Sequence, residues 1–296
     1  MAQTNPLLEL SNAFAEAAAK AGRFVVAVNA RQRIPSSGIV WRPGVIVTAE
    51  HALKRDDEIG VTLPDNRTVE ATLAGRDPGT DIAVLRVPED AGEARTAASA
   101  SVQIGSVVLA VGRRGENGIG VSAGILGAVS GPWRTWRGGA IDSFVRPDVS
   151  LYPGMSGGAL VGTVGLVIGM NTSALTRVGA VSIPATVVDR VATELISRGH
   201  IARGYIGVGL HPVQLPGRGG GLVVLSLEEG GPAAKAGIYV GDVLVSIDGK
   251  LVTDTDDVQT HLGPESIGAN LTVEVVRGGS VSRIEVAPAE RPKGGR

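Results

Sequence analysis

The chain has 296 residues, 43% of them hydrophobic and 19% charged, with a formal net charge of −1 and no cysteine. Such a length allows about two domains. The near-neutral charge gives no electrostatic footprint for nucleic acid, and no apolar run approaches the roughly 18 residues of a membrane span. Disulfides and thiolate metal sites are excluded, no other cluster has metal-ligand spacing, and neither metal nor cofactor is expected. The first residues lack a basic stretch followed by an apolar core. Read literally this places the protein in the cytoplasm, and outside it if the sequence is a trimmed piece.

Residues from about Pro6 to Ala21 are predicted helical, with Leu7, Leu10, Phe14 and Ala18 at helical spacing and Gly22 as a stop. That apolar face is expected to pack on its own domain. From Phe24 the pattern changes to short Val- and Ile-rich strands punctuated by Pro-Gly, Pro-Asp-Asn and Pro-Gly-Thr turns. Strands are predicted at 24–29, 38–41, 45–49, 58–63, 68–77, 82–87, 106–111, 121–129, 141–146, 159–161, 164–171 and 180–183. A dozen strands without intervening helices make a mainly β fold of antiparallel barrels. Pro184–Arg198 follows as an amphipathic helix. The polar, Gly-containing break at Ser197–Gly204 is the best linker. It divides the chain into domains at 1–200 and 201–290, with 291–296 a disordered tail. In the second domain strands are predicted at 205–210, 222–227, 242–247 and 271–276, with short helices at 232–236 and 255–262. Asp242 and Asp248 are read as turn residues.

The stretch Pro153-Gly154-Met155-Ser156-Gly157-Gly158 places a serine between glycines, where the backbone is free to take special angles and come close to a ligand. A nucleophilic serine needs such a setting, although the same residues also suit a tight turn into a strand. Upstream, His51 sits where an apolar strand ends and Asp81 opens another. Taken together, His51, Asp81 and Ser156 have the chain order of the chymotrypsin-like double β-barrel, not that of subtilisin or the α/β-hydrolases.

Thr48-Ala49-Glu50-His51 resembles the Thr-Ala-Xaa-His of trypsin-like proteases. Thr80-Asp81-Ile82-Ala83-Val84-Leu85, Pro153–Gly158 and Ile168-Gly169-Met170-Asn171-Thr172 resemble motifs of the HtrA (DegP/DegQ-like) serine proteases. Arg203-Gly204-Tyr205-Ile206-Gly207-Val208, Gly231–Ile238 and Gly241–Gly249 are similar to the PDZ domain of that family. The resemblance implies a trypsin-like protease domain followed by one PDZ domain. It implies a serine endopeptidase with His51, Asp81 and Ser156 as triad and the N–H groups of Gly154 and Ser156 as oxyanion hole. Unfolded protein segments are the implied substrates, in protein quality control. Tyr205, Ile206, Gly207 and Val208 would receive the carboxylate of a peptide C-terminus. A homotrimer or a multiple of it is implied, with no nucleic-acid partner. In trypsin-like folds the base of the P1 pocket lies six residues before the nucleophile, here Ser150. With Leu151, Ser173 and Ala174 it predicts a small-to-medium neutral P1 residue.

The chain departs from the family pattern at Thr48-Ala49-Glu50-His51, where members usually have Thr-Asn-Xaa-His, at Met155 in place of Asn, in the short loop Arg113–Gly120 and in the unusual Arg134-Thr135-Trp136-Arg137. Trp133 and Trp136 are read as packing or contact residues, and Thr172 as a hydrogen-bond partner of Asp81. Met155 keeps open a second reading, a degenerate protease serving as a peptide-binding scaffold. A purely structural protein is a third, which the PDZ loop argues against.

Overall fold

The computed structural model describes residues 5–31, 34–87, 103–115, 118–135, 137–176, 179–217 and 219–291. Trp136 and the tail after residue 291 lie outside them. The chain forms two compact units, Met1–Ile201 and Ala202–Arg296.

The first unit opens with α1 (Pro6–Gly22), capped by Asn5, whose side chain accepts the Leu7 N–H. Only its C-terminal half docks, through Ala17 and Ala21. Leu7 and Leu10 stay 77% and 50% exposed, so the expected packing of the whole apolar face is corrected for its first two turns. Six strands then close the first barrel: β1 (Val25–Asn29), β2 (Ser36–Arg42), β3 (Val45–Ala49), β4 (Ile59–Thr62), β5 (Thr68–Asp77) and β6 (Ile82–Arg86). Strands β1 and β3 are buried along nearly their whole length. They therefore read as continuous apolar runs rather than as an alternation. Gly38 lies in the interior, where a Cβ would meet Ile46, Val28 and Val26 at 2.9–3.1 Å.

The second barrel comprises β7 (Val107–Arg113), β8 (Ile119–Ser130), β11 (Phe144–Asp148), β12 (Ala159–Gly162), β13 (Val167–Thr172) and β14 (Val181–Pro184). A small hairpin of β9 (Trp133–Arg134) and β10 (Ala140–Ile141) intervenes between β8 and β11. Val108, Leu126, Val145 and Leu160 form one cluster of this barrel's core. β13 starts later than its apolar run, because Gly165 (φ +82°) turns the chain between Gly162 and Leu166. α2 (Ala185–Arg198) ends the unit. Val187, Val188, Val191 and Leu195 form its buried face, and Gly199 caps it in the left-handed region.

In the second unit β15 (Gly204–Tyr205) pairs with β22 (Ala289–Glu290). The main sheet orders β16 (Val208–Leu215), β17 (Gly219–Leu227), β18 (Val243–Ile247), β20 (Leu271–Arg277) and β21 (Ser280–Val286), with β19 (Lys250–Leu251) beside β18. The helices are α3 (Pro232–Ala236) and α4 (Thr255–Thr260). Asp254 and Asp257 form a capping box at the start of α4. Asp242 does serve the turn before β18, accepting the Tyr239 N–H at 2.8 Å. It is also held by Arg277, whose Nε and Nη2 both donate to it at 2.7 Å.

The Arg277 guanidinium holds the Asp242 carboxyl below the usual carboxylate range against the opposing effect of burial. The folded carboxyl thus binds its proton more weakly than that of the unfolded chain, ordinarily about 3.9. It stabilises the fold above that pH and stops doing so as pH falls through the lower native value. Asp242→Asn is expected to destabilise the second unit by about 1–3 kcal/mol at neutral pH and to flatten its acid dependence below about pH 4. Amide exchange at Leu244 and Val275 in the full chain, measured against pH, checks both.

Candidate active site

Across the β3–β6 ladder Ala49 faces Ile82. The chain leaving β3 and the chain entering β6 therefore emerge side by side. His51 lies on the single helical turn Glu50–Ala52 directly after β3, and Asp81 directly before β6. The His51 ring Nδ1 stands 3.0 and 2.9 Å from the two Asp81 carboxylate oxygens. The His51 main-chain N–H donates to Asp81 Oδ1 at 2.8 Å, and the Thr172 hydroxyl donates a short bond to Oδ2. The Asp81 side chain is 2% exposed. An ionised carboxylate so deeply buried needs donors, and these groups supply three. With the proton held at Nδ1, the other ring nitrogen, Nε2, is left as the base.

Ser156 follows the turn Tyr152-Pro153-Gly154-Met155, closed by the Met155 N–H on Tyr152 O at 3.0 Å. Proline second and a glycine at φ +94° third make the type II pattern. A Cβ on Gly154 would lie 2.7 Å from Pro35 O, and one on Gly157 (φ +86°) 2.1 Å from Ser37 O. Both glycines are thus required by conformation and by space. Ser37, on β2, holds the turn from the first barrel. Its hydroxyl donates to Gly154 O at 2.7 Å and accepts the Arg113 N–H at 2.9 Å, while its own N–H donates to Ser156 O. On the other side Gly157 N–H and Gly158 O bond to Asn171 on β13. Among the described residues the N–H groups of Gly154 and Ser156 have no acceptor. Two unspent donors beside a serine hydroxyl suit an oxygen that gains negative charge.

His51, Gly154 and Ser156 border one cleft of about 610 Å³. The Ser156 hydroxyl bonds to Ser173 Oγ at 3.2 Å rather than to the imidazole, a looseness common before substrate binds. Leu151 and Ser173 of the expected P1 pocket border the cleft. Ser150 and Ala174 do not. Ser150 is exposed with its N–H on Ser122 Oγ, and the Ala174 N–H is spent on Thr172 Oγ. Among the described residues no carboxylate borders the cleft. Met155 is buried with its side chain towards Gly112, so its replacement of an asparagine leaves the two N–H donors unobstructed.

In the second unit Tyr205, Ile206, Gly207 and Val208 border a groove of about 140 Å³ with Leu210, Val258 and Leu262. The carbonyls of Ile206 and Gly207 accept the N–H groups of Ala233 and Glu228. Their own N–H groups have no acceptor among the described residues. Sequence reasoning passed over Ser37 and Arg113. Arg113 is buried with Nε on Val25 O and Nη2 on Gly22 O, and burial pushes its guanidinium below its usual range. Ser37 stands second in β2 and Arg113 last in β7, strand-end positions where polar residues are ordinary and carry no signal.

Residues 36–170 match the trypsin-like peptidase domain and residues 204–287 the PDZ domain. The "Probable periplasmic serine endoprotease DegP-like" of Pseudomonas fulva is 35% identical over 275 residues, 88% of this chain and 57% of that protein. The protein of the same name from Halomonas elongata is 33% identical over the same extent. The chain thus spans little more than half the length of these relatives. Among solved structures, a serine endoprotease from Yersinia pestis superposes with a TM-score of 0.77 at 30% identity, over 94% of this chain and 98% of that one. An HtrA-type protease AlgW with decapeptide gives 0.79 at 26% identity, over 94% and 99%. The relatives' periplasmic designation overturns the cytoplasmic expectation. That expectation rested on the opening residues alone, which do not report what precedes them in a longer protein.

Gly157→Ala is expected to lose about 1–3 kcal/mol to backbone strain and a further amount to collision with Ser37 O. Gly105 has nearly the same φ, +85°, but open space around it. Gly105→Ala should show the strain alone. Equal destabilisation of the two variants in urea unfolding would contradict the close approach of Ser37 to Gly157.

Proposed function

The chain belongs to the HtrA-type serine proteases, and from that membership we propose that it is an endopeptidase acting on unfolded or exposed protein segments. The observation that carries this reading is the His51–Asp81 pair, with Nδ1 within 3.0 Å of both carboxylate oxygens, beside the same cleft as Ser156. Ser156 Oγ leaves Ser173 and attacks a peptide carbonyl carbon, passing its proton to His51 Nε2. The Gly154 and Ser156 N–H groups hold the resulting oxyanion, each worth roughly 2.7–4 kcal/mol in comparable sites. The imidazolium, stabilised by Asp81, protonates the departing amine. Water then attacks the acyl carbon, losing a proton to His51, which passes it to Ser156 Oγ as the acyl–oxygen bond breaks. A cleft bordered by Leu151 and Ser173, with no carboxylate among the described residues that line it, favours a small-to-medium neutral P1 residue.

The Tyr205–Val208 loop takes a peptide C-terminus as an added strand, with its carboxylate on the Ile206 and Gly207 N–H groups. The work is protein quality control in the periplasm. The exposed Leu7, Leu8 and Leu10 of α1 support a subunit contact, and the resemblance to the family implies that the assembly is a homotrimer.

Ser156→Ala is expected to lower kcat on unfolded casein by roughly 10⁶-fold. In a fluorogenic series varying P1 alone, Val, Ala and Leu should outrun Arg and Lys. Cleavage that survives in Ser156→Ala would sink the serine mechanism, and an Arg preference would sink the pocket assignment. For the groove, a hydrophobic peptide with a free C-terminus should bind in calorimetry and its amidated twin should not. Equal binding of the two would remove the carboxylate role.

A further inference from the structure

Glu50, Thr135 and Arg137 take no part in the reaction, yet the fold brings them against the turns that carry His51 and Asp81. Glu50 immediately precedes His51, and its side chain is only 11% exposed. Arg76 Nη1 lies 3.3 Å from one Glu50 oxygen and Arg137 Nη1 3.7 Å from the other. Arg76 also pairs with Asp56. The Glu50 main-chain N–H donates to Asp81 O at 3.1 Å. Pinning the Glu50 side chain therefore fixes the turn from which His51 projects.

The same β9–β10 hairpin reaches the other member of the pair. The Thr135 hydroxyl donates to Gly79 O at 2.6 Å and accepts the Gly139 N–H at 3.1 Å. The approach is close, since a Cβ on Gly139 would lie 2.2 Å from Gly79 O. Gly79 opens the turn into Asp81, which Asp77 braces by accepting from Gly79 N–H, Thr80 N–H and the Thr80 hydroxyl. Asp81 itself sits at φ +57°, a left-handed conformation that persists only where its surroundings impose it.

We propose that Glu50, Thr135 and Arg137 are positioning residues, and that the β9–β10 hairpin is a clamp holding the His51 and Asp81 turns in register. Thr135 sets the turn before Asp81, and Arg137 through Glu50 sets the turn before His51. None of the three touches substrate. The proposal rests on the serine-protease reading, and it requires the clamp to act on the imidazole–carboxylate geometry rather than on overall stability alone.

The test uses the full chain and four variants: Arg137→Ala, Arg137→Lys, Thr135→Val and Glu50→Gln. Cleavage of an unfolded substrate is measured beside Ser156→Ala, with melting temperatures throughout. Independently of turnover, nitrogen-15 histidine labelling follows exchange of the His51 Nδ1 proton with water, assigned by its loss in His51→Gln. Arg137→Ala and Thr135→Val are expected to lower kcat roughly ten- to a hundredfold with KM unchanged and to speed that exchange. Glu50→Gln should do the same, and Arg137→Lys should recover most of both readouts. Wild-type kcat and exchange in Arg137→Ala and Thr135→Val, even with a lowered melting temperature, would overturn the clamp. Turnover that does not depend on Ser156 would refute the protease mechanism instead, and the proton-exchange readout would still decide for or against the clamp.

Discussion

The β3–β6 ladder is the constraint on which the first barrel's contribution to the site depends. Its register sets Ala49 opposite Ile82. Chain ends that leave paired strands side by side have little choice of neighbour. His51 and Asp81, thirty residues apart in sequence, are thereby delivered within one side-chain length of each other. What the ladder does not set is the orientation of the imidazole. That comes from the turn Glu50–Ala52 and from a left-handed Asp81, two local conformations that side-chain hydrogen bonds must maintain.

The nucleophile side solves a different problem. A serine beside unspent N–H groups lies on a loop whose carbonyls must go somewhere. Burying them unpaired would cost about 1–3 kcal/mol each. Ser37 takes up Gly154 O and Ser156 O with its hydroxyl and N–H, and Asn171 N–H takes Gly158 O. The turn is thus gripped between β2 of one barrel and β13 of the other. Its glycines follow from that grip, since the carbonyls of Pro35 and Ser37 occupy the space a side chain would need.

The barrel strands were legible because their signal is composition and turn chemistry, both local. So was the meeting of His51 with Asp81 beside a cleft that Ser156 borders, each residue being marked by its motif. β21 went unread because its sequence, Ser-Val-Ser-Arg-Ile-Glu-Val, sits at a sheet edge with polar residues on an open face. The β9–β10 hairpin went unread because two-residue strands carry no period, and the tight turn Thr135–Gly139 is fixed by a contact with Gly79, fifty-six residues away. Ser37 was illegible for the same reason. A serine at the start of a strand carries no mark of the distant partner it meets, here Gly154 O. The exposed leucines of α1 show the limit of periodicity, which predicts an apolar face without saying what covers it.

Glu50 sharpens the difference between stability and geometry. A carboxylate that is largely buried between two guanidinium groups gains little net stability, because desolvation offsets most of the attraction. Arg76 Nε is buried there without a partner among the described residues, a further penalty. An apolar side chain packed at position 50 would satisfy burial more simply. It would not tie the turn bearing His51 to the strand bearing Arg76 and to the hairpin bearing Arg137, because apolar contacts are non-directional. Ion pairs with fixed donors are directional, and direction is what a base that must meet both a carboxylate and a serine requires. The cluster is therefore better explained by what it orients than by what it stabilises.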